Sequence, residues 1–207
     1  MVLSMLCQEN IPLAVIMLGV LAILSRRSKK WVVTPILMGV SYFSIALLTM
    51  SYFNNNTVQY SSIYEHLGNS PLQVILNFFM RPQLVFQTLF RKQTFMYLTQ
   101  VFLPLFFIPL LRPLQLVPAL PFFLQHMLSR RPPELTIFFH YTAEMIPFIF
   151  IAFSHAVKFL LEKRLVLNER FLKISLVSIV FLSNLYLGPN IRVCRQLLHQ
   201  HKEEYLD

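Results

Sequence analysis

The feature that most constrains this chain is residues 132–164, PPELTIFFHYTAEMIPFIFIAFSHAVKFLLEKR. It opens on two prolines that cannot continue a helix, runs through mostly apolar residues, and stops at Glu162-Lys163-Arg164. At about 1.5 Å of rise per residue, that length covers the ~30 Å hydrocarbon core of a bilayer. Read as one helix bent at Pro147, it gathers His140, Glu144, His155 and Lys158 within about 60° of one another. Phe148, Ile149, Phe150 and Phe153 spread over the remaining surface. Lipid cannot solvate an ionisable seam, so this face must turn to a bundle interior or a wet cavity. The helix therefore requires partners.

Composition says that the partners are also helices in a membrane. Of the 207 residues, 56% are hydrophobic and 13% charged, against roughly 25% charged in ordinary soluble domains. Twenty Phe and four Gly fit helix-packed and lipid-facing surface with few tight turns. The fold class is all-α and polytopic. The net charge of +9 lies in short basic clusters between apolar runs, the pattern of membrane topology and anionic headgroups. Neither a basic-aromatic face nor a recognisable module for nucleic acid is present, so that partner class is excluded. Cys7 and Cys194 stand near opposite ends without metal-type spacing and read as two unpaired thiols. Gln8-Glu9-Asn10 interrupts the first apolar run, and basic residues follow it, unlike a cleavable signal peptide.

About six spans follow, near 5–25, 31–53, 95–111, 113–128, 140–161 and 174–188, in a membrane domain covering 1–189. Arg26-Arg27-Ser28-Lys29-Lys30 is the strongest topology signal and places the first loop in the cytoplasm, with both termini external. Residues 54–69 are a polar external loop carrying the sequon Asn55-Asn56-Thr57. Ser70-Pro71 reads as an N-cap followed by a first-turn proline. From there 71–92 forms two short amphipathic helices, split at Arg81-Pro82, that suit the headgroup plane; a buried hairpin in a soluble cap is the plainer alternative. Between 95 and 128, Pro104, Pro109, Pro113, Pro118 and Pro121 interrupt two apolar runs around Arg112. These read as two kinked crossings with Arg112 at the cytoplasmic turn, the other possibility being a re-entrant pair shielded by neighbours. Residues 190–207 are a polar external tail.

With these segments in place, the sequence resembles the membrane half of the domain of unknown function 2079 family, multi-pass membrane proteins of bacterial or archaeal plasma membranes. The resemblance rests on Gln8-Glu9-Asn10, on the run from Tyr64-Glu65-His66 to Ser70-Pro71-Leu72, on LPLFFIPLLRPLQLVPALPFFLQHML at 103–128, and on His140-Tyr141-Thr142-Ala143 followed by Ile146-Pro147-Phe148. Together these cover most of the chain. Family members are similar to C-type glycosyltransferases, which take sugars from polyprenyl-phosphate donors at the outer face. Such enzymes keep their catalytic acid on a long first external loop, and this chain begins beyond it. The resemblance thus implies a fragment, or one part of a split protein that works with an N-terminal partner chain, and leaves the catalytic residue of this chain unassigned.

The polar residues carry two readings each. Glu9, at an outer span end, can bind a divalent cation or a sugar hydroxyl, or can simply favour a helix start. Glu65 and His66 can line a substrate groove or belong to an ordinary polar loop. His140 and Glu144, one helical turn apart beside Tyr141, can pair to contact a donor phosphate or merely satisfy each other. Arg81, Arg91 and Lys92 can hold a lipid phosphate or anchor non-specifically to headgroups. His199 and His201 point to different faces of a helical tail and make no metal site. No phosphate-binding glycine loop, zinc cluster or serine elbow is present. The reading is a glycosyltransferase-like membrane protein that binds a polyprenyl-phosphate-linked sugar or related lipid; a non-catalytic subunit or scaffold, or a small transporter, is the alternative.

Overall fold

The computed structural model describes residues 5, 8, 10–53, 63–68, 70–163 and 169–187. Cys7, Glu9, the sequon, Cys194 and the tail lie outside them. Among the described residues the chain is mostly helical, with no strand.

The N-terminal third is a hairpin of α1 (Ile11–Leu24) and α2 (Lys29–Phe53). Pro12 sits in the first turn of α1, where its missing N–H costs nothing. The two helices meet at glycines. A Cβ on Gly19 would stand 2.5 Å from Ile36 Cγ1 and 2.9 Å from the Val32 carbonyl, and one on Gly39 would stand 2.8 Å from the Pro12 carbonyl. The backbones therefore run closer than any side chain allows. Beyond this seam α2 is bare, since Pro35 and Gly39 are its buried residues. At 25 residues it is the one described helix long and apolar enough to cross a membrane, and Ile11–Leu24 and Ile174–Ser183 are shorter apolar stretches.

Helices α3 (Pro71–Met80) and α4 (Pro82–Leu89) match the pair expected over 71–92. Ser70 Oγ accepts the Gln73 N–H at 3.2 Å, which is the anticipated N-cap. Their apolar faces pack with Leu67 and Leu128 through Val74, Phe78, Leu84 and Val85.

The centre departs from expectation. Where two kinked α-helices are expected over 95–111 and 113–128, the chain forms α5 (Lys92–Phe102), three short 3₁₀ pieces (Leu103–Leu105, Ile108–Leu111, Pro113–Ala119) and α6 (Leu120–Leu128). Prolines at 104, 109, 113 and 118 remove an amide every four or five residues, so no α ladder can propagate. The chain turns at Phe106 and Phe107, both left-handed at φ 51° and 58°. This broken segment is nonetheless the middle of the fold. It packs on α1, on α7 (Ile146–Glu162) and on α8 (Glu169–Leu187). Ala14, Ala119 and Ala152 let these elements close on Phe102, Phe122 and Phe123.

The stretch 132–164 is also not one helix. It is a 3₁₀ turn at Pro132–Leu135, a turn flanked by extended Thr136 and Phe139, a second 3₁₀ turn at His140–Glu144, and only then α7. Pro147 starts that helix instead of bending it. The buried face of α7 is Ile149, Ala152 and Ala156, while His155 and Lys158 are exposed. Lys158 pairs with Glu162 at 3.7 Å on the surface. The expected inward seam therefore does not form. Small residues, not polar ones, are what the 3₁₀ segments can approach.

Candidate functional site

Most of the polar residues singled out above collect at one end of the bundle, around the start of α1, the end of α6 and the 3₁₀ turn before α7. The ordering begins with His126 in the last turn of α6. Its Nδ1 lies 2.9 Å from the Glu134 carbonyl, and its ring stacks on Tyr97 at 5.9 Å and meets Tyr141 at 6.5 Å. Tyr97 is wholly buried and its hydroxyl donates to Met145 Sδ at 3.6 Å. Ser129, also wholly buried, accepts the Arg131 N–H on its Oγ at 3.0 Å. That turn brings Arg131 within 3.9 Å of the buried Glu134 carboxylate and its guanidinium over the Tyr141 ring at 5.7 Å.

His140 is exposed and lies against Tyr141, with ring centroids 4.5 Å apart. The expected hydrogen-bonded pair of His140 and Glu144 is absent. With about three residues per turn, the 3₁₀ geometry sets i and i+4 roughly 120° apart. Glu144 Oε2 instead accepts Asn10 Nδ2 at 2.7 Å, tying the turn to the start of α1. Asn10 Oδ1 is buried without a partner.

Arg91 is a brace. Its Nε donates to the Thr88 carbonyl at 2.9 Å, and Nη2 donates to the carbonyls of Met127 and Ser129 at 3.0 and 2.9 Å. One guanidinium thus closes the ends of α4 and α6, and three of its five N–H groups are spoken for. Burial, then the charge of Arg130, lowers its pKa. Arg81 and Lys92 are exposed, and Arg91 keeps two N–H groups uncommitted. Glu65 is exposed on the 63–68 turn. That turn is docked by Tyr64 Oη on the Gln125 carbonyl at 3.1 Å and by Asn77 Nδ2 on the Leu67 carbonyl at 2.6 Å. On it, His66 has both ring nitrogens buried and unpartnered. Burial first, then Arg130 and Arg91, holds its pKa below the ordinary histidine value.

The structure thus joins Tyr141, Glu144 and His140 to His126, Arg131 and Glu134, and sets His66 with Arg91 on the neighbouring side of α6. His126 escaped the sequence reading. Its signal is the Gln125-His126 pair, polar within an otherwise apolar helix. Among the described residues no three His, Cys, Asp or Glu side chains converge as a metal site.

Below this end is an open cleft of about 570 Å³ with a wholly apolar lining, including Leu105, Phe150, Phe153, Val177, Val180 and Phe181. Along α7, Phe150 and Phe153 lie roughly 6 and 10 Å from Ile146. A second set of buried polar atoms without partners, Gln100 Oε1, Arg112 Nε and Gln115 Oε1, belongs to the broken segment and its flanks. There Arg112 sits 4.1 Å over the Phe159 ring.

A helical chain with a long bare apolar helix and a polar cluster confined to one end has the build of a membrane protein. The family described as predicted membrane protein (DUF2079) matches residues 1–202, and the chain belongs to that family. No curated protein and no solved structure matches it.

Proposed function

We propose that this protein is a multi-pass plasma-membrane protein that binds a polyprenyl-phosphate-linked sugar or related lipid, with the polar end at the outer face. What carries the reading is the vertical order of chemistry along α7. Glu144, Tyr141 and Arg131 stand at its head, and an apolar cleft begins about one turn below the helix start. An isoprenoid tail needs such a cleft, and a phosphate or sugar needs charged and hydroxyl partners at its mouth. Orientation rests on the Arg26–Lys30 cluster at the opposite end of α1. The proline-broken segment supports a span count above the single long helix. A 3₁₀ run rises about 2.0 Å per residue, so 113–128 laid end to end covers roughly 27 Å with sixteen residues.

The test is binding of a polyprenyl phosphate to the full chain in dodecyl maltoside, comparing wild type with Val177→Trp, which fills the cleft. Binding that falls roughly tenfold or more in the variant is expected, the indole displacing several buried isoprene methyls. Equal binding by both proteins, or none, overturns the reading. Donor turnover abolished by Glu9→Gln or Glu65→Gln would make it an enzyme.

One observation favours a small transporter as the second reading. Helices broken near mid-depth, with polar groups left unpaired there, are how many transporters build a substrate site, and Gln100, Arg112 and Gln115 have that character. Solute uptake into proteoliposomes that is lost in Gln115→Leu would select it.

A further inference from the structure

We propose that His66, Arg91 and Arg130 form a binding site for a tetrahedral oxyanion, a phosphate group being the class it fits. The three meet where the 63–68 turn docks on the end of α6. The Arg130 N–H donates to the Ile63 carbonyl at 3.4 Å, which puts the two segments side by side. Arg91 is held from the other side by its bonds to Met127 and Ser129. No ion pair joins Arg91 or Arg130 to a carboxylate among the described residues.

His66 is the telling member. A neutral imidazole has one donor and one acceptor, and here both nitrogens are buried with nothing bonded to them. Buried polar atoms seldom go without partners, and an unpaired one calls for a water, an ion or a ligand. Two guanidinium groups nearby decide which ligand. A cation is repelled, and a neutral acceptor gains less from them than an anion does. An oxyanion accepts from the imidazole and from the N–H groups that Arg91 and Arg130 have left, in charge-assisted bonds.

Binding also has a proton signature. Burial and the two arginines disfavour imidazolium. An anion reverses the charge that His66 faces, so the ring takes one proton from solvent and presents two donors. The other charged groups on these elements are Glu65, exposed on the same turn, Lys92, exposed beside Arg91, and Arg131 with Glu134 beyond Arg130. For a lipid ligand the inference rests on the proposed function; for a soluble one it stands alone.

The experiment uses the full chain labelled with ¹⁵N-histidine in dodecyl maltoside, whose headgroup carries no phosphate. The His66 ring signal is identified by its loss in His66→Phe. Sulfate, which does not titrate near neutral pH, probes a soluble source, and phosphatidic acid in mixed micelles probes a headgroup. We expect one of these to raise the His66 pKa by about one unit or more. Arg130→Gln, whose native side chain braces no backbone, should weaken that probe roughly tenfold. A response to sulfate assigns a soluble anion; a response to phosphatidic acid alone assigns a lipid. A His66 ring unmoved by both probes, or an effect unchanged in Arg130→Gln, overturns the site. Because neither probe carries a polyprenyl tail, failure here leaves binding in the cleft as a separate result.

Discussion

The α1–α2 hairpin and the polar end around α6 are held together by opposite means. In the hairpin the backbones touch, with Gly19 and Gly39 removing the side chains that would keep them apart. Its order comes from apolar contact, and among the described residues no hydrogen bond links one helix to the other. At the polar end the backbone is interrupted by short helices and turns, so carbonyls are left over. Side chains collect them: Arg91 takes Thr88, Met127 and Ser129, Asn77 takes Leu67, Tyr64 takes Gln125, and His126 meets Glu134. A chain in lipid must satisfy every backbone group internally. Regular helices do this by geometry alone. Broken ones need polar side chains, and those are then positioned to do chemistry.

The largest expected effect breaks the hairpin. Gly39→Leu places a branched side chain where even a Cβ would lie 2.6 Å from Ile16 Cγ1 and 2.8 Å from the Pro12 carbonyl. The side chain of Ile16 can move aside, but the backbone cannot without separating the helices. Overpacking of this kind costs about 3 kcal/mol at the upper end of its usual range. Thermal unfolding in detergent should show a large loss of stability. Leu76→Ala, exposed on α3, serves as the neutral control. A wild-type melting curve for Gly39→Leu would mean that close packing does not hold the hairpin.

Next is the brace. Arg91→Leu strands three carbonyls at the ends of α4 and α6, and the loss should be about 2–3 kcal/mol given the charge-assisted bonds removed. Arg91→Lys should recover little, because one ammonium cannot reproduce the planar fork that reaches Met127 and Ser129 together. The local readout is hydrogen exchange over 120–130, accelerated in both variants while 11–24 stays protected. Uniform acceleration across both regions would show that they are one cooperative unit and that the contrast drawn above does not separate them.

The regular region was legible in the sequence and the interrupted one only in part. Length and apolarity gave α2, and Ser70-Pro71 and Arg81-Pro82 gave the bounds of α3 and α4, because caps and first-turn prolines act locally. Pro147 is the instructive failure. A proline can start a helix or kink one, and periodicity alone does not separate the two. Thr136 decides it: the backbone there is extended, and its Oγ1 accepts the Phe138 N–H at 3.3 Å, so the helix cannot begin upstream. The prolines of 103–119 read as kinks by sequence, yet their spacing is too dense for any α turn between them. At the polar end, His140, Tyr141 and Glu144 stand out by their place in the chain, but a partner of Glu144 is Asn10, 134 residues away. Such a pairing is a product of the tertiary fold and has no local signature.

The smallest expected effect is a pH dependence confined to the 63–68 turn. His66 has a folded-state pKa below its ordinary value, through burial first and then Arg130 and Arg91. When the turn is released, the ring returns to water and binds protons more readily than in the docked state. Proton uptake therefore favours release, and docking is strongest above the ordinary histidine pKa and weakens as pH falls through it. The Leu67 and Gly68 amides, which donate to the Tyr64 carbonyl at 2.8 and 3.1 Å, report on the docked turn. Their exchange, corrected for intrinsic rate, should be faster at low pH than at neutral pH, while amides of the α1–α2 hairpin show no such change. His66→Phe should remove the dependence and leave the turn docked, since an apolar ring fills the same place without a proton to bind. If Leu67 and Gly68 exchange alike at both pH values in the wild type, His66 is not desolvated as described. If the hairpin amides change with them, the sensitivity belongs to the whole fold, and the division between a region held by contact and one held by polar side chains fails.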